Sequence, residues 1–197
     1  MSDQFLPLVR YIKKYIELSD QETAYLCSLL HYRFIKKKQI IVQPGFVCKY
    51  RTYIVKGSMR AYLIDQEGND HTLALGIEDW WISDYYSYIH QVPADLFVEA
   101  LEDSYVIQMD YNAELILMET YPKFERFFRI LSQRALAYMQ RRILSNLSKS
   151  AGERYEEFSQ KYPLLIQRIP QYAIASYLGF SSEFLSKIKK QRVKKVN

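Results

Sequence analysis

Residues 169–190 read IPQYAIASYLGFSSEFLSKIKK. Ile174, Ala175 and Leu178 recur at helical spacing until Gly179. The spacing resumes after a serine pair with Leu185 and Ile188. Ala175 is small where two helices would cross closely. Gly179 can take the left-handed turn that ends a helix. Ser181 can cap the next helix, and Glu183 in its first turn suits the helix dipole. Leu185 and Ile188 then face Ile174 and Leu178. This order of small residue, turn and apolar contact predicts a helix-turn-helix.

On the second helix, Ser182, Glu183, Ser186, Lys187 and Lys190 share the side away from Leu185 and Ile188, at spacings of three and four. In a DNA major groove, residues near the start of such a helix reach base edges. Lys187 suits guanine O6 and N7, Glu183 suits the cytosine amino group, and Phe184 suits a thymine methyl. Lys189, Arg192, Lys194 and Lys195 suit phosphates, which give affinity without reading sequence. From Ser182 to the end there are six basic residues and one acid, Glu183. That net +5 equals the net charge of the whole chain, so the excess sits at one end. The competing reading is an ordinary helical hairpin with a solvated basic face.

The rest of the chain says what the helix pair is attached to. The 197 residues suit one large domain or two small ones, and 49% apolar content is enough for a core. A pI of about 9.0 leans modestly toward polyanions. Cys27 and Cys48 form no CxxC pair and read as buried thiols in a reducing compartment. His31, His71 and His90 show no ligand spacing, so no metal or other cofactor is expected. MSDQFLPLVRYIKKY lacks the apolar stretch of a signal peptide. No apolar run approaches the roughly 20 residues that span a bilayer. The expectation is a cytoplasmic protein that does not enter membranes.

Residues 4–30 read as helical, with Ser19 as a second N-cap and Glu22 in the following turn. Between 34 and 110 the character changes. Four of the six glycines fall between Gly45 and Gly76, separating the runs QIIV, RTYIV, SMRAYLID and HTLAL. LFVEAL and SYVIQMD follow Pro93. Many short strands with frequent turns predict an antiparallel jelly roll. After Pro122 a long helix is expected, with apolar rows through Phe124, Phe128, Leu131, Ala135 and Tyr138, and through Phe127 and Ile130. It could pack along the sheet or pair with its twin in a two-fold dimer. It breaks between Ser148 and Gly152.

The whole chain resembles the Crp/Fnr superfamily of bacterial regulators. The match is most specific in IPQYAIASYLGFSSEFLSKIKK, and IVQPGFVCKYRTYIVKGSMRAYLIDQEG fits the glycine pattern of the family's roll. The resemblance implies an α+β fold in three parts. These are a cyclic-nucleotide-binding-like β-roll over residues 1–120, a dimerisation helix over 121–148, and a helix-turn-helix domain over 149–197. It places Ser182, Glu183 and Lys187 on base-contacting positions and Gln171 near a phosphate-contacting one. It implies a homodimer on a two-fold-symmetric double-stranded operator, its second helices about 34 Å apart. RNA polymerase enters as a further partner.

Two departures matter. Relatives that bind cyclic nucleotides carry a Gly-Glu pair for the ribose and an Arg for the phosphate. Here Ser83-Asp84 and Ala94-Asp95-Leu96 stand in those places, in the stretch EDWWISDYYSYIHQVPADLFVEAL. A carboxylate facing a phosphate repels it, so cAMP and cGMP are not expected to bind. The family's β-hairpin wing is expected to be absent or reduced to the basic tail. The aromatic segment from Trp80 to Tyr88 admits two readings. Trp81, Asp84 and Tyr85 would hold an unknown small-molecule effector, with Asp84 as anchor. Otherwise the rings cap the roll and fill the space a nucleotide would take.

Two further functions compete with DNA reading. A sensor or partner-binding module would use the roll without DNA. An enzyme on a cupin-like roll would need clustered His and carboxylate ligands, and His71 is the one strand histidine in a plausible place. No nucleophile triad, phosphate loop or paired carboxylates stand out, so the chain is not expected to be an enzyme.

Overall fold

The computed structural model describes residues 3–196, with side chains to Lys190. Helices α1 (Leu6–Lys13) and α2 (Asp20–Ser28) come first. Then follow β1 (His31–Ile35), β2 (Ile40–Val42), β3 (Tyr50–Lys56), β4 (Met59–Ile64), β5 (Asp70–Gly76) and β6 (Trp81–Ile82). The short helix α3 (Tyr85–His90) leads to β7 (Phe97–Ala100) and β8 (Ser104–Asp110). The rest is helical: α4 (Tyr111–Thr120), α5 (Lys123–Ser148), α6 (Ala151–Lys161), α7 (Pro163–Arg168), α8 (Gln171–Leu178) and α9 (Ser182–Val196).

The strands form two four-stranded antiparallel sheets, ordered β1-β8-β3-β6 and β2-β7-β4-β5. The chain is α+β, a jelly roll flanked by helices. Neighbouring residues on a strand point to opposite faces, and the two central strands of the first sheet use both. Ile54 and Val106 point inward, to Met59, Ala61 and Val98 of the second sheet. Tyr53 and Ile107 point outward, to α1, α2 and the start of α5. Gly57, at φ +109°, closes the turn from β3 to β4, where a Cβ would stand 2.8 Å from the Ser104 backbone.

Ser19 caps α2 as its sequence predicts. Its hydroxyl accepts the Glu22 N–H at 3.2 Å, and the Glu22 carboxylate accepts the Ser19 N–H at 2.8 Å. The region of strands begins slightly earlier than the sequence suggests, at His31. Strand β1 lies at a sheet edge with three of its five side chains exposed, so it carries no alternation to detect.

Helix α5 is 26 residues long, about 39 Å at 1.5 Å per residue. Its first turns bury Phe124, Phe127 and Phe128 against the roll. Beyond them a different stripe emerges, in neither of the two rows that the sequence singles out. Leu136, Met139, Ile143 and Leu147 follow at steps of three, four and four, all exposed, with Leu147 at 81%. Leu144 lies beside them, also exposed.

A third core lies under the C-terminal helices. Tyr155, Phe158, Leu165, Ile169, Ile174, Leu178 and Leu185 pack there with Leu75 of β5 and Leu101. The helix pair is therefore seated on the roll.

Candidate nucleic-acid interface

The turn between α8 and α9 is built as the glycine requires. Gly179 sits at φ +80°. Its N–H donates to the Ser176 carbonyl at 3.1 Å, and the Phe180 N–H reaches back to the Ala175 carbonyl at 3.0 Å. This pair of bonds satisfies the end of α8 in a Schellman turn. The Ser181 hydroxyl then accepts the Phe184 N–H at 3.2 Å and starts α9. Ala175 and Leu185 are buried, and Ile188 packs on the same cluster.

With its apolar side seated, α9 turns its polar face outward. Glu183, Ser186, Lys187 and Lys190 are exposed, and Ser182 is half-buried. The Ser186 hydroxyl donates to the Ser182 carbonyl at 3.0 Å. The Glu183 carboxyl is held below the usual carboxylate range by its own backbone N–H, by Ser181 and by Lys187. It stays an acceptor through neutral pH. Phe184 leans edge-on against Phe180, 5.7 Å between ring centres, with 45% of the residue still exposed. The Lys189 ammonium lies 6.0 Å over the Tyr155 ring. Gln171 is exposed at the first turn of α8, separate in sequence from the α9 face. Arg192, Lys194 and Lys195 lie outside the described side chains.

The residues expected to hold an effector are each engaged in packing or hydrogen bonds within the fold. Asp84 is buried, and its carboxylate accepts the N–H groups of Ser87, Asp95 and Leu96, each at 3.0 Å. It ties α3 to the start of β7. Trp81 packs 5.3 Å from Tyr53 and 6.4 Å from Phe127. Tyr85 is half-exposed and hydrogen-bonds Ser132 of α5 at 3.2 Å.

A buried ion pair lies alongside them. Arg51 Nη2 donates to Glu114 Oε1 at 2.8 Å, and Nε lies 2.8 Å from Oε2. The Tyr88 hydroxyl donates to the same carboxylate at 3.0 Å. The guanidinium lies 4.8 Å from the Phe128 ring and 5.2 Å from the Tyr85 ring. Trp80 points elsewhere, to Tyr138 and Tyr162 beside the helix pair. The aromatic run that looks continuous in sequence is thus divided among three cores, with Trp80, Trp81 and Tyr88 in one each, and the surface, with Tyr85 and Tyr86.

Three side chains that fasten the helix pair to the roll went unnoticed in the sequence. The Ser176 hydroxyl accepts the Thr72 N–H and donates to the Asp70 carbonyl, both at 2.8 Å. Arg142 of α5 donates to the carbonyls of Thr72 at 3.0 Å, Tyr177 at 2.9 Å, and Leu73. Arg168 holds Glu78 and Glu102, each at 2.6 Å. The available signal was weak: a serine inside an otherwise apolar helix, and an arginine at the end of an apolar row.

Among the described residues no helix is long and apolar enough to cross a membrane. No group of three or more His, Cys, Asp or Glu could hold a metal ion among them either.

No family model and no curated protein matches the sequence. Solved structures do match its fold. The c-di-GMP-responsive global regulator CLP of Xanthomonas campestris superposes with a TM-score of 0.72 at 12% identity, covering 89% of this chain and 93% of that one. FixK2 of Bradyrhizobium japonicum gives 0.71 at 17%, covering 84% and 85%. A protein described as a transcriptional regulator of the crp/fnr family from Eubacterium rectale gives 0.70 at 17%, covering 90% and 85%. The chain has the fold of the Crp/Fnr regulators, a roll followed by a helix-turn-helix.

Proposed function

We propose that the chain is a sequence-specific DNA-binding transcriptional regulator of the Crp/Fnr type, working in the cytoplasm as a homodimer and not as an enzyme. The observation that carries this is the division of labour on α9. Its apolar side is used up by the helix-turn-helix core, and Glu183, Ser186, Lys187 and Lys190 are left exposed, with only interactions local to the start of α9 among them. Lys187 and Glu183 are the base readers, Ser182 and Ser186 line the same face, and Lys190 meets the backbone. Gln171 opens α8, whose free N–H groups suit a phosphate. The parts are the roll over 1–120, the dimerisation helix over 121–148 and the DNA-binding domain over 149–197. The exposed stripe on α5 supports the dimer, because a long helix with an unpartnered apolar seam buries it against a twin.

The roll takes neither cAMP nor cGMP in this reading. Asp84 is committed to three backbone N–H groups, and the arginine nearby is neutralised by Glu114. An effector at Trp81, Asp84 and Tyr85 would first have to displace packed rings. Isothermal titration with both nucleotides tests this, and saturable binding of either would sink it.

The deciding experiment is selection from random-sequence DNA at two salt concentrations. The expected result is a two-fold-symmetric motif whose preference disappears with Lys187→Ala and Glu183→Ala. Purely salt-dependent binding without a motif would reduce α9 to a non-specific basic patch, and leave the roll to a sensor or partner-binding role.

A further inference from the structure

A shallow cleft of about 70 Å³, open to solvent on one side, lies where α5, α6 and α8 meet. Neither the reading face of α9 nor Trp81, Asp84 and Tyr85 lines it. Its composition is unusual in two ways. Four cations line it, Arg141, Arg142, Arg154 and Lys161, against one carboxylate, Glu157. Its walls are rings: Tyr138, Phe158, Tyr162 and Tyr177.

The one carboxylate is already engaged. Glu157 pairs with Lys149 at 2.7 Å and with Arg141 at 3.6 Å. Among the described residues, no carboxylate lies within 4.0 Å of Arg142, Arg154 or Lys161. Arg142 is held by carbonyl oxygens, which orient a guanidinium without neutralising it. Arg154 gives Nη1 to the Lys149 carbonyl at 2.9 Å, while its Nε is buried with no hydrogen-bond partner. The Lys161 ammonium hovers 5.2 Å over the Tyr162 ring and 5.8 Å over the Tyr138 ring. Burial pushes the Tyr138 and Tyr177 phenols up, so both remain neutral hydroxyls.

Gathered cations on a low-dielectric wall draw an anion and strengthen its hydrogen bonds. Ring walls accept a flat group. We infer that this cleft is a binding site for a small anion bearing a planar ring, an aromatic phosphate ester or carboxylate. Its head group meets Arg154 and Lys161, and its ring lies along the tyrosines. Such a ligand touches both the long helix and the helix pair. Its influence on DNA binding rests on the function proposed above, whereas its binding does not.

The full chain is titrated calorimetrically with phenyl phosphate, benzoate, inorganic phosphate and neutral benzyl alcohol. Trp80 serves as a local reporter, since its ring lies 5.7 Å from Tyr162 and 6.5 Å from Tyr138. Phenyl phosphate or benzoate is expected to bind once per chain, about tenfold or more tighter than inorganic phosphate, and to change Trp80 emission. Lys161→Gln, at an exposed position, and Arg154→Gln each weaken this binding about tenfold, and benzyl alcohol gives no heat. Binding of neither ring-bearing anion, binding no tighter than inorganic phosphate, or binding unchanged in both variants overturns the site. If both variants lose DNA affinity while neither ring-bearing anion binds, the cations belong to the phosphate backbone and the inference falls. Failure of the DNA selection alone leaves this titration intact.

Discussion

The Ser176 hydroxyl accepts the Thr72 backbone N–H at 2.8 Å, which makes a residue of the first helix of the pair part of the edge of the roll. Strand β5 is the outer strand of its sheet, and its ladder with β4 slips where Ala61 pairs with Ala74 and Tyr62 with Thr72. The slip leaves Leu73 as an extra residue, and such bulges free backbone groups from the ladder. Arg142 takes the carbonyls of Thr72 and Leu73. An edge that would otherwise be open is covered by the helix pair.

Ser176→Ala therefore removes two hydrogen bonds and strands two strand groups at a partly buried contact. The expected cost is about 1–3 kcal/mol, at about 0.5–1.5 for each bond. Denaturant unfolding of the full chain measures it. Amide exchange at Thr72 should rise with it. Protection unchanged at Thr72 would show that the serine does not fasten the two parts.

Leu147→Glu, or Ile143→Glu, places a charge on the exposed stripe of α5 without touching a buried contact. Helix content by circular dichroism should stay the same, while sedimentation shifts from dimer to monomer. Affinity for a two-fold DNA site should drop about 100-fold or more, since the second half-site loses its tether. A wild-type chain that sediments as a monomer at micromolar concentration would remove the stripe's assigned role.

The Arg51–Glu114 pair is buried on both sides, each side chain 6% exposed. Arg51→Met alone leaves a carboxylate in an apolar pocket and should cost about 3–5 kcal/mol. Adding Glu114→Leu should recover much of that loss, because two apolar groups need no solvation. A double variant as unstable as the single one would mean that shape, and not charge, governs the site.

Glu22 joins α2 to the start of α5. Lys123 donates to it at 3.0 Å, and this bond leads the fall of its pKa from 4.5 to about 2. A lowered carboxyl stabilises the fold above the unfolded value, near 4.5, and loses that contribution as pH falls through about 2. Acid titration of unfolding should therefore show a loss of stability across that window. The slope should flatten in Glu22→Gln. An identical slope in the variant would assign the acid sensitivity elsewhere.

Much of this protein was legible in local chemistry. A left-handed glycine between two apolar rows, followed by a serine cap, needs only neighbours within five residues, and Gly179 and Ser181 behave as that chemistry dictates. The Ser19–Glu22 cap and the strands punctuated by Gly45, Gly57 and Gly68 are of the same kind. The exposed face of Lys187 and Glu183 follows from helical spacing once Leu185 is inside.

What the tertiary structure decided was partnership at long range. The apolar rows of α5 do not say which half meets the roll. Phe124 and Phe127 bury there because the outward faces of β3 and β8 end beneath them, and the unpartnered stripe is a third row. Trp80 and Trp81 are neighbours in sequence, yet one packs beside Tyr162 and the other beside Tyr53. Arg142, Arg154 and Lys161 face one cleft because two helices and a turn fold them together. Helical and strand periods fix which way a side chain points along its own element. Only packing of one element on another decides what it meets.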